Sequence, residues 1–333
     1  MIKIGILGYG YWGPRIVRNF HNIEGCEVSV VCDKRHAALK RAAHDVPGVH
    51  VTSNPSEVLS SADIDAVAVI TPVCTHFELA KAALENGKHV FVEKPFTATA
   101  LEAEQLIELA DRKKLQIMVD HTFLFTGAVR KMKQLIEQGD LGKLYYYDSM
   151  RVNLGLFQHD VNVIWDLAPH DLSIVDHLVS ERPECVVATA QAHLSELEDL
   201  AHITVYFSNR VIANINVNWL SPVKVRTTLI GGEKRMLVWN DLEADEKLKI
   251  YDKSVQLGNG HKVEEMLVSY RTGDMWAPKL DPAEALAVES QYFIDCVSNN
   301  VTPFNDGRAG LRVVKILEAA SQSMKDRGHP VEL

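Results

Sequence analysis

The sequence contains few cysteines, and they are scattered along the chain. The five cysteines are odd in number and include no Cys-x-x-Cys pair, so the sequence indicates neither a disulfide framework nor a thiolate metal site. No stretch approaches the roughly 18 consecutive apolar residues of a membrane-spanning helix. The first residues, Met1 to Leu7, are typical of a strand and not of a secretion signal. We therefore expect a cytoplasmic protein with no membrane partner.

Clusters of basic residues are also lacking. The chain has 35 lysines and arginines against 44 aspartates and glutamates, a net charge of -9, which argues against a nucleic acid as partner. His159, Asp160 and His170 show no recognised metal-ligand spacing, so no metal site is expected. With 333 residues, 47% of them hydrophobic, the chain is long enough for two domains with cores of their own.

Residues 1–120 alternate short apolar runs with amphipathic stretches. This rhythm predicts strands joined by helical crossovers, hence a doubly wound parallel sheet. Two Thr-x-x-Glu patterns, at Thr75 and Thr99, predict capping boxes at helix starts. The strand-like runs are Ile2–Leu7, Glu27–Cys32, Val49–Thr52, Ala66–Ile70, His89–Val92 and Gln116–Val119.

Residues 121–333 follow a different rhythm, in which strand-like runs succeed one another without helices between them. This predicts an α+β domain with an open, mostly antiparallel sheet flanked by helices. The predicted helices are about Ala128–Glu137, Val163–Leu178, Pro282–Ser298 and Gly307–Lys325. The predicted strands are about Tyr145–Val152, Cys185–Ala192, Ala201–Phe207, Val211–Val217, Lys224–Ile230, Met236–Trp239 and Lys247–Tyr251.

A Gly-x-Gly-x-x-Gly pattern joins the first strand to the first helix. Gly8 would allow the tight turn, Gly10 would let the backbone approach a pyrophosphate, and Gly13 would allow close packing of helix on strand. The phosphates would lie at the positive end of the helix dipole. Tyr11 and Trp12, within the pattern, are expected to contact the same cofactor. The pattern therefore predicts a dinucleotide site.

An acidic residue follows the glycines at the expected distance. Asp33 ends the second strand-like run, 20 residues after Gly13, where a carboxylate would bind the ribose hydroxyls and repel a 2′-phosphate. NAD is therefore the favoured cofactor. Lys34 and Arg35 follow directly and could weaken that repulsion, so NADP remains a second possibility.

A lysine stands at the end of the fifth strand-like run, in Glu93-Lys94-Pro95. Loops beyond the carboxyl ends of parallel strands form the ligand crevice of such sheets. A lysine there could stabilise the alkoxide that develops while a hydride leaves the carbon atom. An exposed surface lysine is the alternative interpretation.

The second candidate motif is Trp165-Asp166-Leu167-Ala168-Pro169-His170-Asp171. Asp166 and His170 share a helix face because they are four residues apart. With an ordinary pKa near 6.5, His170 could exchange the alcohol proton at neutral pH. A structural His–Asp pair is the alternative, and Pro169 is expected to kink the helix.

These motifs, in this order, resemble the family of glucose–fructose oxidoreductase, inositol dehydrogenase and MocA. The resemblance implies a Rossmann domain of residues 1–120 and a substrate-binding and oligomerisation domain of residues 121–333. It also implies proton handling by Lys94 and His170, a substrate-positioning Asp166, and a homodimer or homotetramer formed through the second domain's sheet. Gly10-Tyr11-Trp12-Gly13-Pro14 and Asn162 to Asp171 resemble members that act on nucleotide-linked sugars, which implies chemistry at a ring hydroxyl such as the 3-position. Ala168-Pro169 departs from the family, where a glycine often stands two residues before the histidine.

Further candidates lie next to these motifs. Thr71, Pro72 and His76 follow the fourth strand-like run, and Glu93 follows the fifth. All four are expected near the cofactor, although His76 could equally be a surface residue. His121 comes just after the sixth run and could face the cleft expected between the two domains. The candidate substrate ligands are Arg151, Asn153, Gln158 and Asn162, with Arg151 the natural partner of an anion.

The sequence as a whole predicts an NAD(P)-dependent dehydrogenase or reductase of a sugar or polyol. Two alternatives stay open: a cofactor-binding regulator without catalysis, and a glycosidase of the same fold that recycles NAD in place. The chemistry-bearing residues Lys94, Asp166 and His170 favour the dehydrogenase.

Overall fold

The computed structural model describes residues 1–155, 160–257 and 268–333. Internal contacts divide the chain into two units. The first consists of Met1–Phe125 with Ala283–Lys315, and the second of Thr126–Pro282 with Ile316–Leu333. The sequence prediction placed a single boundary after residue 120, so it differs from the structure most at residues 283–315.

The first unit contains a parallel sheet with the order β3-β2-β1-β4-β5-β6. Its strands are β1 (Ile2–Leu7), β2 (Cys26–Cys32), β3 (His50–Thr52), β4 (Ala66–Val69), β5 (His89–Glu93) and β6 (Ile117–Asp120). Its helices up to residue 125 are α1 (Gly13–His21), α2 (His36–Asp45), α3 (Pro55–Leu59), α4 (His76–Glu85) and α5 (Ala100–Lys113). The predicted doubly wound parallel sheet is confirmed.

The second unit contains a mixed, mostly antiparallel sheet with the order β16-β13-β12-β11-β7-β10-β9-β8-β17. Only the β7–β10 pair is parallel among the pairs in the described part of this sheet. The helices are α6 (Gly127–Glu137) and α7 (Val163–Leu178). The strands are β7 (Leu144–Leu154), β8 (Pro183–Gln191), β9 (Leu200–Phe207), β10 (Ile212–Asn218), β11 (Leu220–Gly232), β12 (Met236–Asn240), β13 (Leu248–Tyr251), β14 (Ser254–Leu257), β15 (Val268–Arg271), β16 (Met275–Trp276) and β17 (Val331–Glu332), with β14 and β15 forming a separate ladder.

Two further helices follow, α8 (Ala285–Asn299) and α9 (Gly307–Lys325). Helix α8 belongs to the first unit because Phe293 packs edge-on against Phe20 of α1 and Phe91 of β5, with ring centroids 6.1 and 5.6 Å away. All three rings are fully buried. A sequence pattern that records only the order of elements cannot reveal this return of the chain.

Two local predictions have different outcomes. Thr99 forms the predicted capping box with Glu102 at the start of α5. Thr75 does not cap α4, because a 3-10 turn precedes this helix. The Thr75 hydroxyl instead lies within hydrogen-bond distance of the Thr71 hydroxyl and the Pro72 carbonyl oxygen. Within the described residues, no helix combines the length and the hydropathy that crossing a bilayer requires.

Candidate active site

The glycine turn after β1 has the geometry that a dinucleotide needs. Gly8 adopts a φ of +102°, and a Cβ there would lie 2.2 Å from the Ile70 carbonyl oxygen. A Cβ on Gly13 would lie 3.0 Å from the Gly8 carbonyl oxygen, whereas one on Gly10 would meet no heavy atom closer than 3.7 Å. Gly8 and Gly13 are thus required by the turn itself, while Gly10 leaves its surface open to a ligand.

The first turn of α1 provides the anion-binding end of this site. The helix has no side-chain cap and no acidic residue in its first turn, so no carboxylate of its own first turn neutralises its positive end. Tyr11 and Trp12 are exposed, and the Arg15 guanidinium lies over both rings, 4.7 and 5.0 Å from their centroids. The turn therefore fits a pyrophosphate, as the sequence predicts.

Asp33 lies beside this turn at the end of β2. Its carboxylate accepts a hydrogen bond from the Tyr9 amide at 2.8 Å and from the Arg35 guanidinium at 2.9 and 3.0 Å. Burial raises the pKa of Asp33, but the bonds from Arg35 and Tyr9 outweigh it and lower the pKa to about 2. Lys34 and Arg35 are both exposed, and it is Arg35 that pairs with the carboxylate and partly neutralises it.

Lys94 follows β5 at the carboxyl edge of the same sheet, next to the end of β4. Its neighbour Glu93 ends β5 and is half-buried, as is Lys94 itself, and the Lys94–Pro95 peptide bond is cis. Thr71 and Pro72 follow β4 in the structure as in the sequence prediction. The edge that carries the glycine turn therefore also carries Lys94, which is the arrangement that ligand sites in doubly wound sheets use.

His76 differs from its predicted role as a cofactor ligand or surface residue. It is buried, with 1% exposure, and its ring nitrogens lie 2.9 Å from the Pro95 carbonyl oxygen and 2.7 Å from the Thr71 carbonyl oxygen. Burial lowers its pKa, and the charge of Lys94 acts in the same direction. Because its nitrogens serve the backbone, His76 joins the turns after β4 and β5 and is not available to a cofactor.

In the second unit, Asp166 and His170 lie one turn apart on α7, both half-buried. The predicted helix is confirmed at both ends, and it continues through Pro169, which has no N–H to donate to the Trp165 carbonyl. The Trp219 indole donates a hydrogen bond to Asp166 Oδ2 at 3.1 Å. Sequence reasoning missed Trp219, because no spacing links a residue between β10 and β11 to α7.

Arg151, the anion partner that the sequence suggested, already has a partner inside the second unit. It lies on β7 with 4% exposure, and its guanidinium is paired with Asp171 of α7 at 2.6 Å. Asp171 lies about 140° around the axis of α7 from Asp166. Asp171 therefore faces the sheet, and Asp166 faces a different direction. The pair fastens α7 to β7, and the charge of Arg151 is neutralised inside the unit.

Asn162 also has a structural role. Its side-chain oxygen accepts the Trp165 amide and caps α7, while its nitrogen donates to Glu198. Asn153 lies half-buried near the end of β7. Gln158 and His159 fall outside the described residues. Among those that are described, no three His, Cys, Asp or Glu side chains are grouped to hold a metal ion.

A buried pair of acids lies behind the ends of β5 and β6 and was not predicted. Glu289 of α8 is fully buried and Asp120, the last residue of β6, is 4% exposed. Burial raises the pKa of Glu289 well above its usual range, and the neighbouring Asp120 and Glu93 act in the same direction. The Asn305 side-chain nitrogen donates a hydrogen bond to Glu289 Oε1. A protonated Glu289 can in turn donate a hydrogen bond to Asp120. The signal was absent from the sequence because α8 and β6 are far apart along the chain.

Comparison with known proteins identifies the family. Residues 2–121 match the oxidoreductase family with an NAD-binding Rossmann fold, and residues 129–238 match the GFO/IDH/MocA C-terminal domain. The chain belongs to the GFO/IDH/MocA family of oxidoreductases, and its cofactor is NAD. The resemblance seen in the sequence is thereby confirmed.

Individual relatives indicate the kind of reaction. The chain is 27% identical over 321 residues to UDP-N-acetylglucosamine 3-dehydrogenase of Acidithiobacillus ferrooxidans, covering 94% of each chain. It is 23% identical over 346 residues to the NAD⁺-dependent scyllo-inositol 2-dehydrogenase of Bacillus subtilis, covering 100% of this chain and 96% of the other. The solved structure of the Acidithiobacillus dehydrogenase superposes with a TM-score of 0.82 at 24% identity over 98% of both chains, which shows the same fold.

Proposed function

We propose that this protein is an NAD-dependent dehydrogenase or reductase that acts on a ring hydroxyl or ketone of a sugar. One observation carries the proposal: Lys94 lies at the carboxyl edge of the sheet whose first turn is shaped for the dinucleotide. A group that stabilises an alkoxide next to a nicotinamide is what oxidation of a secondary alcohol requires. The relatives that span the whole chain and act on cyclic alcohols support this substrate class.

The proposed chemistry divides the work between two kinds of group. Bound NAD supplies the acceptor for the hydride that leaves the carbinol carbon. Lys94 donates a hydrogen bond to the carbinol oxygen and stabilises the charge that develops on it. His170 takes the hydroxyl proton in oxidation and returns it in reduction. Asp166 orients the substrate, and the hydrogen bond from the Trp219 indole holds the Asp166 carboxylate in position.

A nucleotide-linked sugar oxidised at the 3-position is the substrate that we favour within this class. The relative at 27% identity that acts on UDP-N-acetylglucosamine supports it. The buried Arg151–Asp171 pair removes the arginine that the sequence offered for the nucleotide phosphates. A nucleotide sugar would therefore need other phosphate ligands, whereas a free sugar or an inositol would need none.

We also propose a cytoplasmic homodimer or homotetramer that associates through the large sheet of the second unit. Met150 of β7 and Tyr206 of β9 are exposed side chains on one face of this sheet, and an exposed apolar patch on such a face is a candidate interface. Light scattering coupled to size-exclusion chromatography measures the subunit number. A monomer at micromolar concentration contradicts this part of the proposal.

A substrate panel tests the function directly. Purified protein and NAD⁺ are incubated with UDP-N-acetylglucosamine, free hexoses or inositols in separate reactions, while the formation of NADH is followed by its absorbance. We expect NADH to appear with at least one cyclic alcohol. Cleavage of a glycoside without accumulation of NADH would instead favour the NAD-recycling glycosidase, and tight binding of NAD without any turnover would favour a regulator.

A further inference from the structure

His121 is a buried histidine whose ring has no partner in the part of the chain that the structure describes. It follows β6 directly and is 1% exposed, and neither Nδ1 nor Nε2 has a hydrogen-bond partner. Its backbone is fixed, since its amide bonds the Val119 carbonyl and its carbonyl accepts the Leu124 amide. Buried polar groups are almost always bonded in folded proteins, so an imidazole with two such nitrogens calls for an explanation.

The place of His121 in the sheet points to a ligand. Strands β5 and β6 are paired so that Glu93 lies opposite Asp120, and the next residues along the two strands are Lys94 and His121. In a doubly wound sheet, the second half, here β4 to β6, holds the nicotinamide half of the dinucleotide at its carboxyl edge. His121 therefore occupies the edge position next to Lys94, on the side where the nicotinamide and the reacting alcohol are expected.

The chemistry of the ring restricts what it can bind. Burial lowers the pKa of His121 to about 3, with the charge of Lys94 acting in the same direction, so the imidazole is neutral at physiological pH. A neutral imidazole offers one N–H donor and one acceptor nitrogen. Its natural complement is a neutral group that both accepts and donates, and an anion such as phosphate is a poor match.

We propose that His121 is a ligand-binding residue that hydrogen-bonds a neutral group of the bound ligands, either the carboxamide of the nicotinamide or a hydroxyl of the sugar next to the reacting carbon. This inference rests on the proposed function for the sugar and on the NAD-binding fold for the carboxamide. The two sources share the same chemistry, one acceptor together with one donor, and they are separated by experiment.

Two apolar variants test the proposal, His121→Leu and His121→Phe, with His89→Phe as the matched control. His89 stands at the opposite, amino-terminal end of β5, and its Nδ1 accepts the Gln116 amide at 3.0 Å. The melting temperature of the ligand-free protein, the Kd for NADH and the kinetic constants for the sugar found in the panel are measured. Binding of NADH is followed by protein fluorescence in the absence of any sugar.

We expect at least one His121 variant to melt no lower than the unsubstituted protein, because it loses no hydrogen bond of the free state. The same variant should bind either NADH or the sugar about tenfold more weakly, as expected for one lost hydrogen bond to a ligand. A weaker Kd for NADH identifies the carboxamide, and a raised KM for the sugar with normal NADH binding identifies the hydroxyl. His89→Phe should melt at a lower temperature and bind both ligands normally.

Three results would overturn the proposal. The first is normal affinity for NADH and normal KM for the sugar in a folded His121 variant. The second is failure of both variants to fold, because a ring without partners in the free protein is not needed to hold it together. The third applies if the panel finds no sugar substrate: unchanged NADH affinity then removes the inference, whereas weakened NADH affinity leaves it standing although the sugar dehydrogenase proposal has failed.

Discussion

The two units use the polar residues at their candidate sites in opposite ways. In the first unit, the glycine turn is left open, since a Cβ on Gly10 would meet no heavy atom closer than 3.7 Å, and Lys94 stands at a strand end. In the second unit, Arg151 is paired with Asp171 and Asn162 caps α7. The glycine turn therefore keeps backbone surface open to a ligand, whereas Arg151 and Asn162 are used inside the fold.

The difference between the two units has a physical reason. The carboxyl ends of parallel strands point their last residues out of the sheet, where no neighbouring strand can satisfy them. A polar residue on a strand inside a sheet, such as Arg151 on β7, must find its partner within the fold because burial of an unpaired charge is costly. Asp171 supplies that partner from α7.

The largest effect is expected when the Arg151–Asp171 pair is broken. Arg151→Met leaves the Asp171 carboxylate buried without its cation, which should lower the free energy of unfolding by about 3–5 kcal/mol. Urea denaturation measures the loss. The double variant Arg151→Met/Asp171→Leu should recover most of it, because no buried charge remains.

Arg226→Met is the matched control. Arg226 pairs with Asp241 at 3.2 Å in a partly exposed position, so its loss should change the free energy of unfolding by no more than about 1 kcal/mol. If Arg151→Met instead unfolds like the unsubstituted protein and loses affinity for a nucleotide sugar, the arginine binds substrate and the contrast between the units disappears.

The next effect concerns catalysis at the edge of the first unit. Lys94→Ala should lower kcat/KM for the sugar by about 10²–10³-fold, the usual result when one donor to a developing alkoxide is removed. The Kd for NADH should stay within about twofold, because Lys94 is proposed to bind the carbinol oxygen of the sugar. A twofold change is well below the factor of 10 that corresponds to about 1.4 kcal/mol. Steady-state kinetics and NADH fluorescence measure the two quantities.

Lys40→Ala, at an exposed position on α2, serves as the control and should keep normal activity. Full activity of Lys94→Ala would show that the strand-end lysine has no part in the chemistry. The role of the sheet edge in the first unit would then be limited to cofactor binding.

These contrasts also explain how far the sequence could predict the molecule. The glycine turn, Asp33 and the α7 motif are each encoded within a short segment, so spacing and strand–helix rhythm suffice to place them. The ends of α7, Val163 and Leu178, were predicted to the residue. Such features depend on local backbone geometry, which a single segment determines.

The features that the sequence did not predict all join distant segments. The Arg151–Asp171 pair, the bond from Trp219 to Asp166 and the return of α8 to the first unit depend on which elements pack together. The same holds for His76, whose partners follow two different strands. Composition and periodicity do not record these contacts, and without them a buried polar residue cannot be told from an exposed ligand.

A smaller effect on binding is expected at Gly10, and comparison with Gly8 separates folding from binding. Gly10→Ala should fold normally but bind NADH about tenfold more weakly, because the new methyl group occupies the surface that the pyrophosphate approaches. Gly8→Ala should fail to fold or melt far lower, since its Cβ would lie 2.2 Å from the Ile70 carbonyl oxygen. Thermal melting and NADH titration distinguish the two variants.

Gly25→Ala controls for backbone strain alone. Gly25 has a φ of +86°, and a methyl group added there would meet no heavy atom within 4 Å, so this variant should lose about 1 kcal/mol of stability and bind NADH normally. Normal NADH affinity in Gly10→Ala would place the pyrophosphate elsewhere.

The smallest effect concerns the acids behind the sheet edge, Glu289 and Asp120. The unfolded chain releases the Glu289 proton near the ordinary pKa of 4.5, whereas burial keeps the folded pKa well above that value. Above pH 4.5 the folded state therefore binds more protons than the unfolded state, and this group lowers stability as the pH rises. Glu289→Gln removes that dependence and retains an oxygen for Asn305 and a donor for Asp120.

We accordingly expect Glu289→Gln to melt above the unsubstituted protein at pH 8 by roughly 2–4 °C, which corresponds to about 1 kcal/mol in a unit of this size. The difference should shrink toward pH 5, because both states then hold the proton more equally. Asp295→Asn, at an exposed acid on the same helix, serves as the control and should melt within about 2 °C of the unsubstituted protein at pH 8. The contrary result is a Glu289→Gln variant that, relative to the unsubstituted protein, melts lower at pH 8 than at pH 5. The ionised acid would then be needed for stability. In that case the sheet edge of the first unit would resemble the second unit, where the buried charges are paired.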